Sequence, residues 1–284
     1  MISKLFFVLA GLLLSPAGRA QHLVVVGGGT RPPEVVAEIV ALGGGAAGHL
    51  VVVPAASGDA AAVGRAQAAE FVAAGMGRAS VALGPMDADS AVALFDRATA
   101  VFFSGGDQSR LVAALRGTRA LAAIRALYAR GGVVAGTSAG AAVMSRVRLT
   151  GAERVNPDAA EAPFSTVEPG NVDTAEGFGF LTWAVVDQHF AVRRRQNRLL
   201  SVVLDHPGLV GIGIDEETAI VVAPDGSFRV VGNRGVQVFD AREATVETRG
   251  RGFSARSVRL HVLAAGDGFS AASGVRCMDG VAAP

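Results

Sequence analysis

The chain has 284 residues, half of them apolar and 18% charged, with 26 basic against 25 acidic side chains. That composition excludes a disordered chain and suits a globular protein with a sizeable core. The formal net charge of +1 gives no basic excess for nucleic acid and no acidic solvating tail.

Lys4 is the only lysine, so arginine is the default base and one Arg alone is weak evidence of function. The first twenty residues read as an export signal. Lys4 supplies the positive start, Leu5 to Leu14 the apolar middle, and Gly18 and Ala20 the small residues before cleavage. An apolar run of ten is too short to span a bilayer, so no stable membrane anchor is expected. The expected mature protein is periplasmic or extracellular, a single domain over residues 21–284. The only cysteine, Cys277, excludes a disulfide within the chain.

Apolar runs then alternate with helix-like stretches. His22 to Thr30 is a buried strand ending in a glycine turn. A helix follows, with Pro at its start and Gly at its end. His49 to Ser57 is a second strand, and Asp59 to Gly75 a second, alanine-rich helix. "SVALG" is a weak strand and "SAVALFDRA" a short helix. Ala100 to Asp107 is a strand running into another glycine turn. Helical sequence on both sides of Gly117 leads to "VVAGT". Residues 146–178 lose periodicity and read as a long loop. The pattern resumes with the strand "WAVVDQHF" and the helix "RRRQNRLLSVVLDH". A Pro-Asp-Gly turn between two alternating runs near residue 225 predicts a hairpin, and "RSVRLHVLAAGD" a late strand. Uniformly apolar strands separated by helices predict an α/β fold: a three-layer, doubly wound, mostly parallel sheet with a C-terminal β-hairpin region. In such folds ligands bind at the carboxyl ends of strands, where the turns at Gly27, Gly105 and Gly136 fall.

Gly136-Thr137-Ser138-Ala139-Gly140 fits G-x-S-x-G between a strand and a helix. The pattern strains the serine and lifts its hydroxyl out of the sheet, beside backbone N–H groups that suit an oxyanion. In a chain with 37 glycines the motif also fits an ordinary tight turn. A serine nucleophile needs a base. Of the five histidines, His22 and His49 begin strands at the far end, His206 sits at a helix end and His261 lies inside a late strand. His189 ends an apolar strand, at the edge expected for Ser138. For the carboxylate that orients the imidazole, spacing leaves Glu153, Asp158, Glu161, Glu168, Asp173 and Glu176 open. Asp187, two residues from His189, suits substrate binding instead.

"FFSGGDQSRL", "GTSAGAAVMS", "GFGFL", "DQHF" with the following "RRRQNRL", and "GIGIDEETAIVV" together resemble the blocks of the serine peptidase family of cyanophycinase and the aspartyl dipeptidases (peptidase E), in family order over residues 22–265. The resemblance implies a class I glutamine-amidotransferase-like fold and a Ser-His-Glu triad. Ser138 matches the nucleophile, His189 the base, and Glu153, in "GAERVNP", the acid. Gly106 and Ala139 would supply the oxyanion hole. Gln108, Asp187, Gln188, Arg193, Arg195 and Arg198 match the substrate-binding set, while Arg194 matches nothing. The implied substrate is cyanophycin, a poly-aspartate chain with arginine branches. Its carboxylate suits the arginines, and its guanidinium groups suit Asp187 and Gln188. A homodimer is implied as well.

Two alternatives stay open: an exopeptidase for short aspartyl peptides, and a non-catalytic periplasmic binding protein on the same fold. A nucleotide cofactor is not expected. The run at Gly27 lacks G-x-G-x-x-G order, and no acidic residue ends the next strand. Nor is a metal expected, because the histidines are scattered and no H-E-x-x-H or cysteine pair occurs.

Overall fold

The computed structural model describes residues 20–155, 164–271 and 274–276. Residues 1–19 of the expected export signal, Asp158, Glu161 and Cys277 lie outside the described residues. Strands β1 (His22–Val26), β2 (His49–Val53), β3 (Arg78–Val81), β4 (Ala100–Phe103) and β5 (Val133–Thr137) run parallel, in the order β1-β5-β4-β2-β3. Between them come helices α1 (Pro33–Leu42), α2 (Ala60–Ala73), α3 (Asp89–Asp96), α4 (Gln108–Leu115) and α5 (Arg119–Ala129).

Strand pleating divides the core in two. Val24, Val26, Val52 and Phe102 meet Val35 and Ile39 of α1 and Phe71 of α2. Leu23, Val25, Val53 and Phe103 meet Leu111 of α4 and Ile124 and Leu127 of α5 on the other face. This two-sided burial is why the strands carry no polar alternation. Each fully buried Val, Leu or Phe gains about 1.5–3 kcal/mol on leaving water. The rings of Phe71 and Phe102 pack edge to face, 5.0 Å between centroids.

After the short helix α6 (Ala139–Ala142), residues 146–178 are not one long loop. Strands β6 (Val147–Glu153) and β7 (Val172–Glu176) pair there, antiparallel and with a register irregularity between Leu149 and Glu153. That break in alternation hides the strands from a periodicity reading. Strand β8 (Ala184–Gln188) and helix α7 (Gln196–Asp205) follow, then β9 (Val210–Ile214), β10 (Thr218–Val222), β11 (Phe228–Gly232), β12 (Val236–Asp240), β13 (Thr245–Arg249), β14 (Gly252–Arg256), β15 (Arg259–Leu263), β16 (Gly268–Ser270) and β17 (Gly274–Arg276).

β10, β11, β16 and β17 extend the main sheet from β1 with antiparallel pairing. β8, carrying the approach to His189, belongs to a second sheet of order β15-β12-β9-β8. One face of that sheet, with Val186, Ile212, Ile214 and Val238, enters the main core. The other, with Val185 and Phe239, is covered by Leu199, Val202 and Val203 of α7. The shared core brings the end of β8 to the end of β1. The run "GIGIDEETAIVV" splits between the sheets, with Asp215, Glu216 and Glu217 at the crossing.

Candidate active site

Ser138 sits between β5 and α6 with φ 53° and ψ −113°, a conformation that non-glycine residues rarely adopt. The turn is forced by packing. A Cβ on Gly140 would lie 2.2 Å from the Phe103 carbonyl oxygen, so only glycine lets the helix descend onto β4. Among the described residues, the backbone N–H of Ala139 and that of Gly106 have no hydrogen-bond partner. Both flank the serine. Gly106 follows β4 with φ 135°, and the cavity beside Ser138 is lined by it.

The Ser138 hydroxyl oxygen lies 2.8 Å from Nε2 of His189. His189 also has a positive φ, 49°. Its other ring nitrogen, Nδ1, lies 2.6 Å from Oε1 of Glu216. Three successive carbonyls at the end of β1 hold these pieces together. Val26 accepts from the Ser138 amide at 3.1 Å, Gly27 from His189 at 2.7 Å, and Gly28 from Glu217 at 2.9 Å. The Gly27–Gly29 run thus serves packing. A Cβ on Gly28, whose φ is 118°, would stand 2.3 Å from Cε1 of the imidazole.

Burial lowers the His189 pKa below its usual 6.5, with the hydrogen bond that Nδ1 donates to Glu216 opposing and the Arg193 charge reinforcing the shift. The ring is therefore neutral at pH 7 and fit to accept a proton. The hydrogen bond to His189 in turn pulls Glu216 below the ordinary carboxylate range. A carboxylate acceptor at Nδ1 places the ring proton there and leaves Nε2 free to face the hydroxyl.

A cavity of about 110 Å³ opens at Ser138, lined by Gly106, Gln108, Asp187, Gln188, Arg193, Arg195 and Arg198 among others. All six residues of the expected substrate set line it, whereas Arg194, exposed and at φ 52°, does not. The arrangement inside differs from expectation. Asp187, 1% exposed, is clasped by Arg198, whose Nε donates to Oδ2 at 2.6 Å and whose Nη2 donates to Oδ1. Arg195 stands 3.5 Å from the same carboxylate. Asp187 is thus already paired and not free for a substrate guanidinium; its work is to fix the arginines. The Oε1 atom of Gln188 is buried and, among the described residues, has no hydrogen-bond partner. Burial brings the Arg195 guanidinium down to about 10, which leaves it charged at neutral pH. Three arginines against one carboxylate give the cavity a cationic excess.

The expectation that Glu153 orients the imidazole is corrected. Glu153 ends β6 and accepts from Nδ2 of the fully buried Asn171 at 2.8 Å, while Glu216 occupies the place at His189. The other described carboxylates of that segment are engaged elsewhere. Asp173 takes Thr150 and Arg154, Glu176 takes Arg116, and Glu168 lies near Arg251. Glu216 lies 27 residues beyond His189, outside the serine-to-histidine stretch in which spacing leaves the acid open. The available signal was an acidic turn directly after an apolar strand: β9 runs parallel to β8 with Gln188 beside Ile214, so residue 216 arrives next to residue 189.

A larger cavity, about 330 Å³, lies near the opposite end of β1 against His22, Glu38 and Phe269, and none of the three groups of the site lines it. Among the described residues no cluster of three His, Cys, Asp or Glu is placed to hold a metal ion.

A strained serine, a neutral imidazole and a carboxylate in hydrogen-bonded series on an α/β frame have the make-up of a serine-type peptidase. The model of peptidase family S51 matches residues 23–230, and the chain belongs to that family. It is 38% identical over 184 residues to the cyanophycinase of Trichormus variabilis, covering 62% of this chain and 58% of that protein. To the cyanophycinase of Synechococcus elongatus it is 36% identical over 185 residues, covering 63% of this chain and 55% of that one. The matched stretch thus spans under three fifths of those proteins' own length. In fold it is similar to a crystal structure of a peptidase from an acI-B1 Actinobacterium, with a TM-score of 0.63, 23% identity, and 89% of this chain and 98% of that one covered.

Proposed function

We propose that the chain is an exported serine exopeptidase that hydrolyses cyanophycin to β-aspartyl-arginine dipeptides. One observation carries the reading: the unbroken series Ser138–His189–Glu216 opens into a cationic cavity. The Ser138 hydroxyl attacks the scissile carbonyl as its proton passes to Nε2 of His189. The oxyanion forms against the Gly106 and Ala139 amides, each donor contributing about 3 kcal/mol in comparable sites. Collapse expels the amine, which takes the proton back from His189. Water then repeats the sequence on the acyl-enzyme and frees Ser138. Glu216 keeps the Nδ1 proton in place throughout.

The substrate assignment is supported by the named relatives and by the chemistry of the cavity. Arg193, Arg195 and Arg198 suit a chain-end carboxylate of poly-aspartate. Export is supported by Lys4 and the apolar run after it. The test is incubation of the purified protein with cyanophycin, with mass analysis of the products and Ser138→Ala as control. β-Aspartyl-arginine released by the wild type alone is the expected result. Turnover confined to short Asp-X peptides would favour the alternative exopeptidase, and turnover by Ser138→Ala would overturn the mechanism.

A further inference from the structure

Helix α2 buries Gly64, Gln67, Ala68 and Phe71, which at 3.6 residues per turn form one stripe facing the sheet. Gln67 is the polar member of that stripe. It meets Ser104, fully buried, whose Oγ donates to Oε1 of Gln67 at 2.5 Å. Ser104 stands where β4 ends, on the same side as Phe102 by strand alternation, and Gly105 and Gly106 come next.

The turn is also held from its far side, where Gly106 packs against the Ala56 carbonyl and Asp107 caps α4 through the Ser109 and Arg110 amides. Ser104 N donates to Val53 O at 3.2 Å, and Asp107 N donates to Ala56 O at 2.9 Å. Between these two ties lie Gly105 and Gly106, the residues with most backbone freedom. A Cβ on Gly105 would lie 3.3 Å from Cβ of Ser138, so the turn sits directly on the nucleophile. Phe71 and Phe102 fix the helix against the strand just beside this bond.

We infer that Gln67 is a positioning residue for the oxyanion hole, acting through Ser104. Its amide oxygen fixes the rotamer of Ser104 and with it the direction of the peptide units that follow, so that the Gly106 N–H is aimed before substrate arrives. Preorganised donors of this kind act on the tetrahedral state and not on ground-state binding. The inference rests on the reading of the Gly106 and Ala139 amides as the oxyanion hole.

The test uses an alkyl fluorophosphonate on the wild type, Gln67→Leu, Ser104→Ala and the double variant. In this reaction the bond from Ser138 Oγ to phosphorus forms as the bond to fluorine breaks. The hydroxyl proton goes to His189, fluoride leaves, and the phosphoryl oxygen takes the oxyanion position. Each single variant leaves a buried polar atom unpartnered and should melt lower. The double variant removes both partners and should melt within about 3 °C of the wild type. All three should label at least ~10-fold more slowly, each assayed well below its own midpoint. A double variant with restored stability that labels at the wild-type rate would overturn the inference, while leaving Ser138 as nucleophile intact. A wild type that does not label, like Ser138→Ala, would remove the oxyanion-hole reading and the inference with it.

Discussion

Oε1 of Glu216 stands 2.6 Å from Nδ1 of His189, delivered by the crossing between two sheets. Glu153, 36 residues before His189 in the chain, is instead tied to Asn171. The two glutamates therefore predict opposite outcomes on substitution. Glu216→Gln should lower kcat by about 10²–10⁴, because the amide no longer holds the Nδ1 proton in place. Glu153→Ala should leave kcat within about threefold and cost about 1–3 kcal/mol of stability, since Asn171 loses its acceptor. Steady-state kinetics and denaturant melts of both variants check this.

The pH profile follows from the imidazole. His189 has a folded pKa below 6.5, lowered first by burial, so kcat/KM should rise with pH through an apparent pKa below 6.5 and then level off. Arg193→Gln removes a positive charge facing the ring and should move that limb to higher pH. The same shift sets the sign for stability. Between the folded pKa and 6.5 the unfolded chain binds more protons, so the His189 contribution rises with pH across that window and is flat above it. A rate profile with its acid limb above 6.5 in the wild type would contradict this assignment.

The Gly27–Gly29 run was legible as a turn but not as a support for the His189 ring, because what it packs against arrives more than 160 residues later. Gly28→Ala would place a methyl 2.3 Å from the imidazole at a φ that alanine resists. We expect kcat to fall by at least ~10²-fold, with KM nearly unchanged, as the ring is pushed from Ser138. Kinetics on that variant, with a melt to show that it folds, decide the point.

Asp187 and Arg198 form a buried pair, so either alone is costly. Asp187→Asn or Arg198→Met should destabilise by about 3–5 kcal/mol, and the double variant by much less than their sum. Because both line the cavity, the double variant should also show a raised KM. A denaturant double-mutant cycle tests the coupling.

How far the sequence could be read is set by range. The parallel strands were legible because Val24 to Val26 and Val51 to Val53 are apolar on both faces, which a two-sided helical cover demands. The contact of Ser138 with His189 was legible because each follows the end of an apolar strand. The second sheet was not, since its strands resemble those of the first and only tertiary packing assigns them. The acid escaped for the same reason: Glu216 reaches His189 by strand pairing, and no local spacing encodes that neighbour.

The proposed mechanism stands on Ser138 as a nucleophile activated by His189. Peptide mapping by mass spectrometry after fluorophosphonate treatment tests it most directly. An adduct on Ser138 is expected in the wild type, with its loss in Ser138→Ala and a labelling rate at least ~10²-fold lower in His189→Ala. An adduct on another serine, or undiminished labelling of His189→Ala, would contradict it.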